Sequence, residues 1–206
     1  DSRHLVAAFR HGLAESGLVE SQGVTIDYRW AQGRYEHLAP IARDFVTRRV
    51  AVIVAVGGVP SAVAAKAATA TIPVVFSVGF DPVALGLVAS FSRPQSNATG
   101  VSLLTSELDA KRLALLRELV PKAAMVGALI NRNNPPSAAQ ARDLEHAARS
   151  VDLRLRIFAA GTDEELGHWQ TLAQECQGAG ADALELNVSC PHMDRKDMGS
   201  NIGKDE

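Results

Sequence analysis

Three short segments of the sequence carry residues that could bind a small polar molecule. Segment 57–61 combines two glycines with a serine, so close backbone approach coincides with a hydroxyl, which suits a carboxylate or small anion. Segment 77–82 sets an aromatic ring beside a carboxylate, a pairing that suits an amine with an apolar side chain. Segment 131–136 is rich in amide hydrogen-bonding groups. The candidate ligand-binding residues are Gly58, Pro60, Ser61, Phe80, Asp81, Asn131 and Asn133.

The same residues also have purely structural explanations. Glycines satisfy the backbone angles of a tight strand-to-helix turn, and Asp81 before Pro82 could serve only as a helix N-cap. Asparagines are common in turns for the same reason. At the level of sequence, both the binding and the structural interpretation stay open.

The sequence offers no catalytic set over residues 1–165. No glycine-rich phosphate loop, dinucleotide-binding fingerprint or nucleophile elbow occurs there. The histidines are scattered, and none forms a spaced pair with an acid as a metal site requires. The cysteines Cys176 and Cys190 are too few for a disulfide scaffold and match no zinc-binding pattern. We therefore expect a binding module with no catalytic residue, no metal and no cofactor.

Composition narrows the class of protein further. The 206 residues are 47% hydrophobic and 21% charged, which is typical of a globular fold and excludes a disordered or low-complexity chain. The 21 basic and 23 acidic residues give a net charge of −2, so we expect no nucleic-acid partner. Apolar runs such as 50–56 are too short to span a membrane, and the sequence shows no signal peptide.

The first half of the chain alternates predicted helices and strands. Helices are expected over 2–16, 38–45, 61–70 and 82–90, and strands over 24–30, 50–56 and 73–77. The run 50–56 is apolar throughout, which predicts a central parallel strand covered on both faces. Residues 24–30 alternate between apolar and polar, as expected near the edge of a sheet.

The second half repeats this alternation. Strands are expected over 99–102, 124–130, 153–158 and 183–188, and helices over 106–119, 137–149 and 162–176. Capping boxes are predicted at three helix starts, formed by Ser106 with Asp109, Ser137 with Gln140, and Thr162 with Glu165.

Strands that alternate with helices form doubly wound α/β sheets, whose ligands bind beyond the carboxyl ends of the strands. All three candidate segments follow predicted strands, so they fall at such ends. The sequence thus predicts two α/β lobes, 1–105 and 106–206, that cross near 103–108 and hold a ligand between them.

A series of short runs along the chain is characteristic of one protein family. The runs are AFRHGL at 8–13, GLVE at 17–20, VTIDYRWAQG at 24–33, AAKAA at 64–68, IPVVF at 72–76, DPV at 81–83, GLVAS at 86–90, NATGVS at 97–102, KRL at 111–113, LLRELVP at 115–121 and NRNNP at 131–135. Together they resemble, in register over about residues 3–165, the substrate-binding proteins of bacterial ABC transporters, in the family associated with tryptophan- and tyrosine-type solutes.

The resemblance implies a type I periplasmic binding protein fold with two Rossmann-like lobes. Such a protein closes on a small amino-acid-like or organic-acid solute and presents it to an ABC permease in the membrane. The candidate segments correspond to the family's cleft loops, and the implied location is periplasmic, or extracellular as a lipoprotein. The family's first strand would precede Asp1, so we expect a fold truncated at both ends, with unpaired edges on strands 24–30 and 50–56.

The tail from about residue 168 departs from that family. The runs HW at 168–169, GADALELNVSCPH at 180–192 and DMGSNIGKD at 197–205 resemble the active-site segment of dihydropyrimidine dehydrogenases, flavin enzymes with a (β/α) barrel. This second resemblance implies Cys190 as the proton donor, Asn187 and Ser189 as substrate contacts, and FMN as cofactor. Two alternatives to a binding protein therefore stay open. They are a fragment of such an enzyme, and a chimera without function that is joined between Gly161 and Gly180.

Overall fold

The computed structural model describes residues 3–123, 125–161 and 183–186, together with residues 165, 174 and 178. The described chain divides between two compact units, one containing the residues up to Gln32 and the other formed by Gly33–Asn187. Among the described helices, none combines the length and the apolar character that a membrane crossing needs.

The first unit contains α1, Arg3–Glu15, as predicted for residues 2–16. Gly17 follows with a φ of 80°, and the Leu18 amide donates to the Leu13 carbonyl at 2.9 Å. This arrangement ends the helix, because a glycine in the left-handed conformation turns the chain away from the helix axis.

The predicted strand over residues 24–30 is wrong. Only an isolated bridge between Glu20 and Val24 forms, and residues 25–31 adopt no regular secondary structure. Alternating side chains supply the pattern of a strand, but a strand also needs a neighbour that accepts and donates its backbone hydrogen bonds. The described part of the chain provides no such neighbour for this segment.

The first sheet lies in the second unit and is wholly parallel. Its elements are α2 (Leu38–Thr47), β1 (Ile53–Ala55), α3 (Val59–Ala68), β2 (Val74–Val78) and β3 (Ala98–Ser102), in the strand order β1-β2-β3. A 3₁₀ turn, Tyr35–His37, leads into α2. Val74, Phe76 and Ala62 are buried in a core where α3 packs against β1 and β2.

The expectation that strand 50–56 is central and covered on both faces is wrong. β1 lies at the edge of its sheet and pairs only with β2 among the described strands. Ile53 and Ala55 are buried, whereas Val54 is 37% exposed and Val56 is 62% exposed. An unbroken apolar run does not reveal which face is covered, and here the helices pack against one face.

The short helix predicted over 82–90 is also wrong, because this segment is a series of turns. The Leu85 amide donates to the Asp81 carbonyl at 3.1 Å, but Gly86 then adopts a φ of 68°. The left-handed conformation of Gly86 prevents a second helical turn.

The second sheet repeats the parallel α/β arrangement. Its elements are α4 (Asp109–Leu119), β4 (Met125–Asn131), α5 (Ser137–Ser150), β5 (Arg154–Ala160) and β6 (Ala183–Leu186), in the strand order β5-β4-β6. Leu113, Val126 and Leu144 form the centre of its core. Both sheets therefore confirm the predicted α/β class. The predicted helix over 162–176 falls almost wholly outside the described residues, and the boundary between lobes near residue 105 stays a prediction.

Two predicted capping boxes do not form. A 3₁₀ turn, Thr105–Leu108, delays the start of α4 to Asp109, so Asp109 cannot be the third residue of a helix capped at Ser106. α5 begins at Ser137 with Pro136 as its N-cap, and Gln140 donates to Asp109 at 3.4 Å instead of closing a box. Gln140 therefore has a tertiary partner, and the Ser137 hydroxyl donates to the carbonyls of Asn131 and Asn134. Thr162, of the third box, lies outside the described residues.

Candidate functional site

The structure places all three candidate segments at the carboxyl ends of strands. The turn at Gly58 follows β1, the turn at Asp81 follows β2, and Asn131 is the last residue of β4. Because β1 and β2 are adjacent and parallel, the first two turns share one edge of the first sheet. The third segment lies at the end of the second sheet, and a cleft between the segments stays a prediction.

Gly58 and Ser61 form the start of α3. Gly58 is the N-cap with a φ of 82°, and Pro60 occupies the first turn. The Ser61 hydroxyl donates to the Gly58 carbonyl at 2.8 Å. The hydroxyl proton is therefore used inside the turn, so an anion here would be held mainly by the backbone N–H groups of the first helical turn, which lack partners within the helix.

Asp81 has a local structural role. Its Oδ1 atom accepts a hydrogen bond from the Val83 amide at 2.8 Å, as the structural interpretation predicts. Phe80 is half-buried and packs against the core of the first sheet. The carboxylate and the aromatic ring are therefore both held in defined positions.

Two hydroxyl groups that the sequence analysis missed fix this turn from the neighbouring strand. The Ser102 hydroxyl donates to the Phe80 carbonyl at 2.9 Å, and the Thr105 hydroxyl donates to the Gly79 carbonyl at 3.1 Å. Ser102 is the last residue of β3, the strand next to β2, and Thr105 follows three positions later. The sequence does place two hydroxyl residues at and just after the end of a predicted strand, and that pattern could have indicated hydrogen bonds to the turn of the adjacent strand.

Asn131 and Asn133 organise the third segment. The Asn131 Oδ1 atom accepts from the Asn133 amide at 2.9 Å, and its Nδ2 donates to the Tyr35 hydroxyl at 3.2 Å. The Asn133 Nδ2 atom donates to the carbonyl of Gly161, beyond the end of β5. The turn interpretation therefore holds for Asn131, whereas the Asn133 side chain binds a carbonyl 28 positions away. Tyr35 joins the site from a segment that the sequence analysis did not single out.

Glu165 and Arg132 tie the ends of β4 and β5 together. The Glu165 Oε2 atom accepts from the Gly161 amide at 2.6 Å, and its Oε1 pairs with the Arg132 guanidinium. The predicted capping box had marked Glu165 for a local role. Of these two partners, Gly161 lies four positions before Glu165, and Arg132 follows β4.

A buried carboxylate lies apart from these loops, between α4 and α5. Asp109 is 4% exposed, and its oxygens accept from Arg112 at 2.9 Å and from Gln140 at 3.4 Å. Burial raises the pKa of the Asp109 carboxyl, while the hydrogen bond from Gln140 and the charge of Arg112 oppose that shift. Within the described residues, no three His, Cys, Asp or Glu side chains are grouped so that they could hold a metal ion.

The residues implied by the second resemblance are Cys190, Asn187 and Ser189, and all three lie outside the described residues. A short match does connect the chain to a subunit of the NAD-dependent dihydropyrimidine dehydrogenase of Escherichia coli. It is 42% identical over 48 residues, which are 23% of this chain and 12% of that protein. So small a share of the relative does not make the chain an enzyme.

Comparison with known proteins supports the first resemblance over most of the chain. A tyrosine-binding protein of Clostridioides difficile is 34% identical over 158 residues, which are 77% of this chain and 45% of the relative. This chain therefore spans less than half the length of that relative.

Solved structures agree on the fold. A conserved domain protein from Vibrio cholerae superposes with a TM-score of 0.74 at 27% identity, over 85% of this chain and 57% of that one. An ABC domain from Streptococcus pneumoniae in complex with L-Trp gives a TM-score of 0.71 at 24% identity, over 86% and 58%. These similarities confirm the predicted periplasmic binding protein fold.

The profile of one family, described as ABC transporter substrate binding protein, matches residues 2–180. That range contains the first sheet, strands β4 and β5 of the second sheet, and all three candidate segments. The chain therefore belongs to the ABC transporter substrate-binding protein family.

Proposed function

We propose that this chain is the solute-binding component of an ABC transporter and that its ligand is an amino acid. The observation that carries the proposal is the family match over residues 2–180, which includes every candidate segment. The tyrosine-binding relative directs the choice of ligand toward L-tyrosine and similar amino acids. The partner would be an ABC permease, and the protein would act in the periplasm or outside the cell as a lipoprotein.

Two of the candidate segments would bind the two charged groups of an amino acid. The start of α3, with Gly58, Pro60 and Ser61, would hold the ligand carboxylate through its backbone N–H groups. Asp81 would hold the ammonium group through its Oδ2 atom, because Oδ1 already accepts from Val83. Asp81 is half-buried, so a charge-assisted hydrogen bond there would be partly shielded from water.

Phe80, Asn131 and Asn133 would complete the site. The Phe80 ring would contact the apolar part of the ligand, and the two amides would approach it from the end of the second sheet. We assign no metal and no cofactor to this function.

The substitution Asp81→Asn tests the assignment sharply. It removes the charge but keeps an amide oxygen that can accept from the Val83 amide, so the turn should survive. We expect wild-type protein to prefer L-tyrosine over its desamino analogue, 3-(4-hydroxyphenyl)propionate. Asp81→Asn should weaken binding of L-tyrosine by roughly 10- to 100-fold, the range for a hydrogen bond to a charged group, and should leave the analogue unaffected. Isothermal titration calorimetry measures both affinities.

The matched control is Asp44→Asn, which removes a carboxylate from the exposed face of α2 where it pairs with Arg48. This variant should bind L-tyrosine as wild type does. Equal loss of affinity in both variants would contradict the role of Asp81, and a wild-type chain that binds no amino acid would contradict the proposed function.

The presence of bound FMN would distinguish the enzyme alternative from the proposed binding protein. Its support is the 48-residue match to the dihydropyrimidine dehydrogenase subunit. A flavin enzyme would purify yellow with bound FMN and would lose turnover on Cys190→Ala. A preparation with flavin absorbance and turnover of a dihydropyrimidine would replace the proposal made here.

A further inference from the structure

A hydrogen bond joins two distant parts of the compact unit formed by Gly33–Asn187. The Asn131 Nδ2 atom donates to the Tyr35 hydroxyl at 3.2 Å, across 96 positions of the sequence. Both side chains are half-buried. The bond is therefore partly shielded from water, where competition from solvent is weaker than at an exposed position.

Each end of this hydrogen bond belongs to a well-packed element. Tyr35 begins the 3₁₀ turn that runs directly into α2, and α2 packs against α3, which packs against β2. Asn131 ends β4, the central strand of the second sheet. The bond thus links the helical layer of the first sheet to the central strand of the second.

The covalent connection between the two sheets runs through a bent segment. Leu104, just after β3, has a φ of 46°, which is unusual for a residue other than glycine. The 3₁₀ turn Thr105–Leu108 follows before α4 begins. The Tyr35–Asn131 bond also links the two sheets and is separate from this connection.

The Asn131 amide is held from two sides. Its oxygen accepts from the Asn133 amide, and its nitrogen donates to the Tyr35 hydroxyl. Because a hydroxyl can both donate and accept, the Asn133 amide selects the orientation of the side chain, and Tyr35 holds the side chain in place.

We infer that Tyr35 is a positioning residue of the binding site, whose hydroxyl holds the Asn131 side chain in place and fastens the first sheet to the second. The consequence for ligand affinity rests on the proposed function, in which Asn131 contacts the solute. If the solute binds the state in which this hydrogen bond is made, loss of the bond lowers the population of that state. Affinity then falls by the same factor.

The test in the absence of ligand compares the two tyrosines of the chain. Tyr35→Phe removes the accepting hydroxyl, and Tyr28→Phe is the matched control because the buried Tyr28 hydroxyl has no hydrogen-bond partner among the residues that the structure describes. Hydrogen–deuterium exchange of the full chain reports on the segment 131–137. We expect this segment to exchange roughly 2- to 10-fold faster in Tyr35→Phe, as loss of one net hydrogen bond allows, and at the wild-type rate in Tyr28→Phe.

A second variant approaches the same bond from its other end. Asn131→Ala removes the donor of this hydrogen bond together with the acceptor of the Asn133 amide. Because Asn131→Ala and Tyr35→Phe each break the bond between the two side chains, their effects on exchange should be non-additive in the double variant. Additive effects, or equal exchange in the Tyr35→Phe and Tyr28→Phe proteins, would overturn the inference.

Calorimetry with L-tyrosine separates this inference from the proposed function. Wild-type binding that weakens roughly 2- to 10-fold in Tyr35→Phe supports the positioning role, and wild-type binding that is unchanged in Tyr35→Phe overturns it. If the wild-type chain binds no amino acid, the proposed function fails, and the exchange comparison alone decides whether the hydrogen bond fastens the sheets.

Discussion

Gly100 in β3 lies where no side chain fits. A Cβ atom at this position would approach the Cδ2 and Cγ atoms of Phe76 to 2.6 and 2.7 Å, and it would also meet the Phe76 carbonyl oxygen. Phe76 is itself buried in the core of the first sheet. Close packing between neighbouring strands therefore requires a glycine at position 100.

Gly100→Ala should destabilise the first sheet, because either the Phe76 ring or the β3 backbone must move. We expect a loss of about 1–3 kcal/mol in the free energy of unfolding, measured in urea. The control is Gly12→Ala in α1, where a Cβ would meet nothing within 4 Å. There alanine should increase helix content, since glycine costs roughly 0.5–1 kcal/mol in a helix. Destabilisation by both changes would argue against a specific collision at Gly100.

Asp109 should make the stability of the fold depend on pH. Burial raises the folded-state pKa of this carboxyl above its unfolded value, so the folded protein binds the proton more tightly. The resulting stabilisation is complete below the unfolded pKa, at about pH 3.9 and lower, and is lost as pH rises through the folded pKa.

Asp109→Asn removes this titration. The free energy of unfolding of wild type minus that of the variant should decrease as pH rises from about 3.5 to 7. Urea unfolding at a series of pH values measures the difference. The control is Asp152→Asn, which changes an exposed aspartate at the end of α5. A pH-independent difference between wild type and Asp109→Asn would contradict the prediction.

Single residues were predictable where their partners are near in the sequence. Asn131 accepts a hydrogen bond from the amide two positions ahead, as the turn interpretation predicts. Asp81 also accepts one from the amide two positions ahead, as an N-cap does, although a series of turns and not a helix follows it. Tyr35 could not be predicted, because its partner Asn131 is 96 positions away. Asp109 was assigned to a capping box because a local pattern carries no information about its long-range partner, Gln140.

At the scale of elements, β1 and β2 offer a comparison of the two faces of one sheet. Val74 is 1% exposed, whereas Val54 is 37% exposed. Both are valines in paired strands of the same sheet. The same substitution at the two positions therefore measures how burial of the side chain affects the free energy of unfolding, because residue type and secondary structure are the same.

Val74→Ala should cost about 2–3 kcal/mol in the free energy of unfolding, because it leaves a cavity in the core. Val54→Ala should cost less than about 1 kcal/mol, since a large part of its surface already contacts water. Chemical denaturation of both variants tests this. Similar costs at the two positions would mean that the outer face of β1 is covered after all, as the apolar run first suggested.

Elements were predicted correctly where the hydrophobic periodicity fits only one type of secondary structure. Amphipathic helices such as α2 and α5, and buried strands such as β4, form where the periodicity places them. Residues 24–30 show the limit, because alternation describes a strand's side chains and not the partner that its backbone needs. Residues 82–90 show another limit, since one left-handed glycine outweighs a helical pattern.

At the scale of the whole molecule, family resemblance added what periodicity could not. Alternating strands and helices fix a parallel α/β class, which many unrelated functions share. The runs over about 3–165 pointed to substrate-binding proteins, and the family match over 2–180 confirms that assignment. The candidate residues were chosen because ligands bind at the carboxyl ends of parallel strands, and the structure places all of them there.

The outer face of the first sheet has a practical consequence for work with the purified protein. Val52, Val54 and Val56 alternate with buried residues. The Ile53 amide donates to the Pro73 carbonyl at 2.9 Å, so the backbone groups of the next residue, Val54, point away from β2. Val75 and Val101 extend the same exposed apolar surface. None of the described strands pairs with the outer edge of β1, and such an edge beside an exposed apolar surface invites self-association. Concentrated stocks should therefore scatter more light per unit of protein than dilute ones.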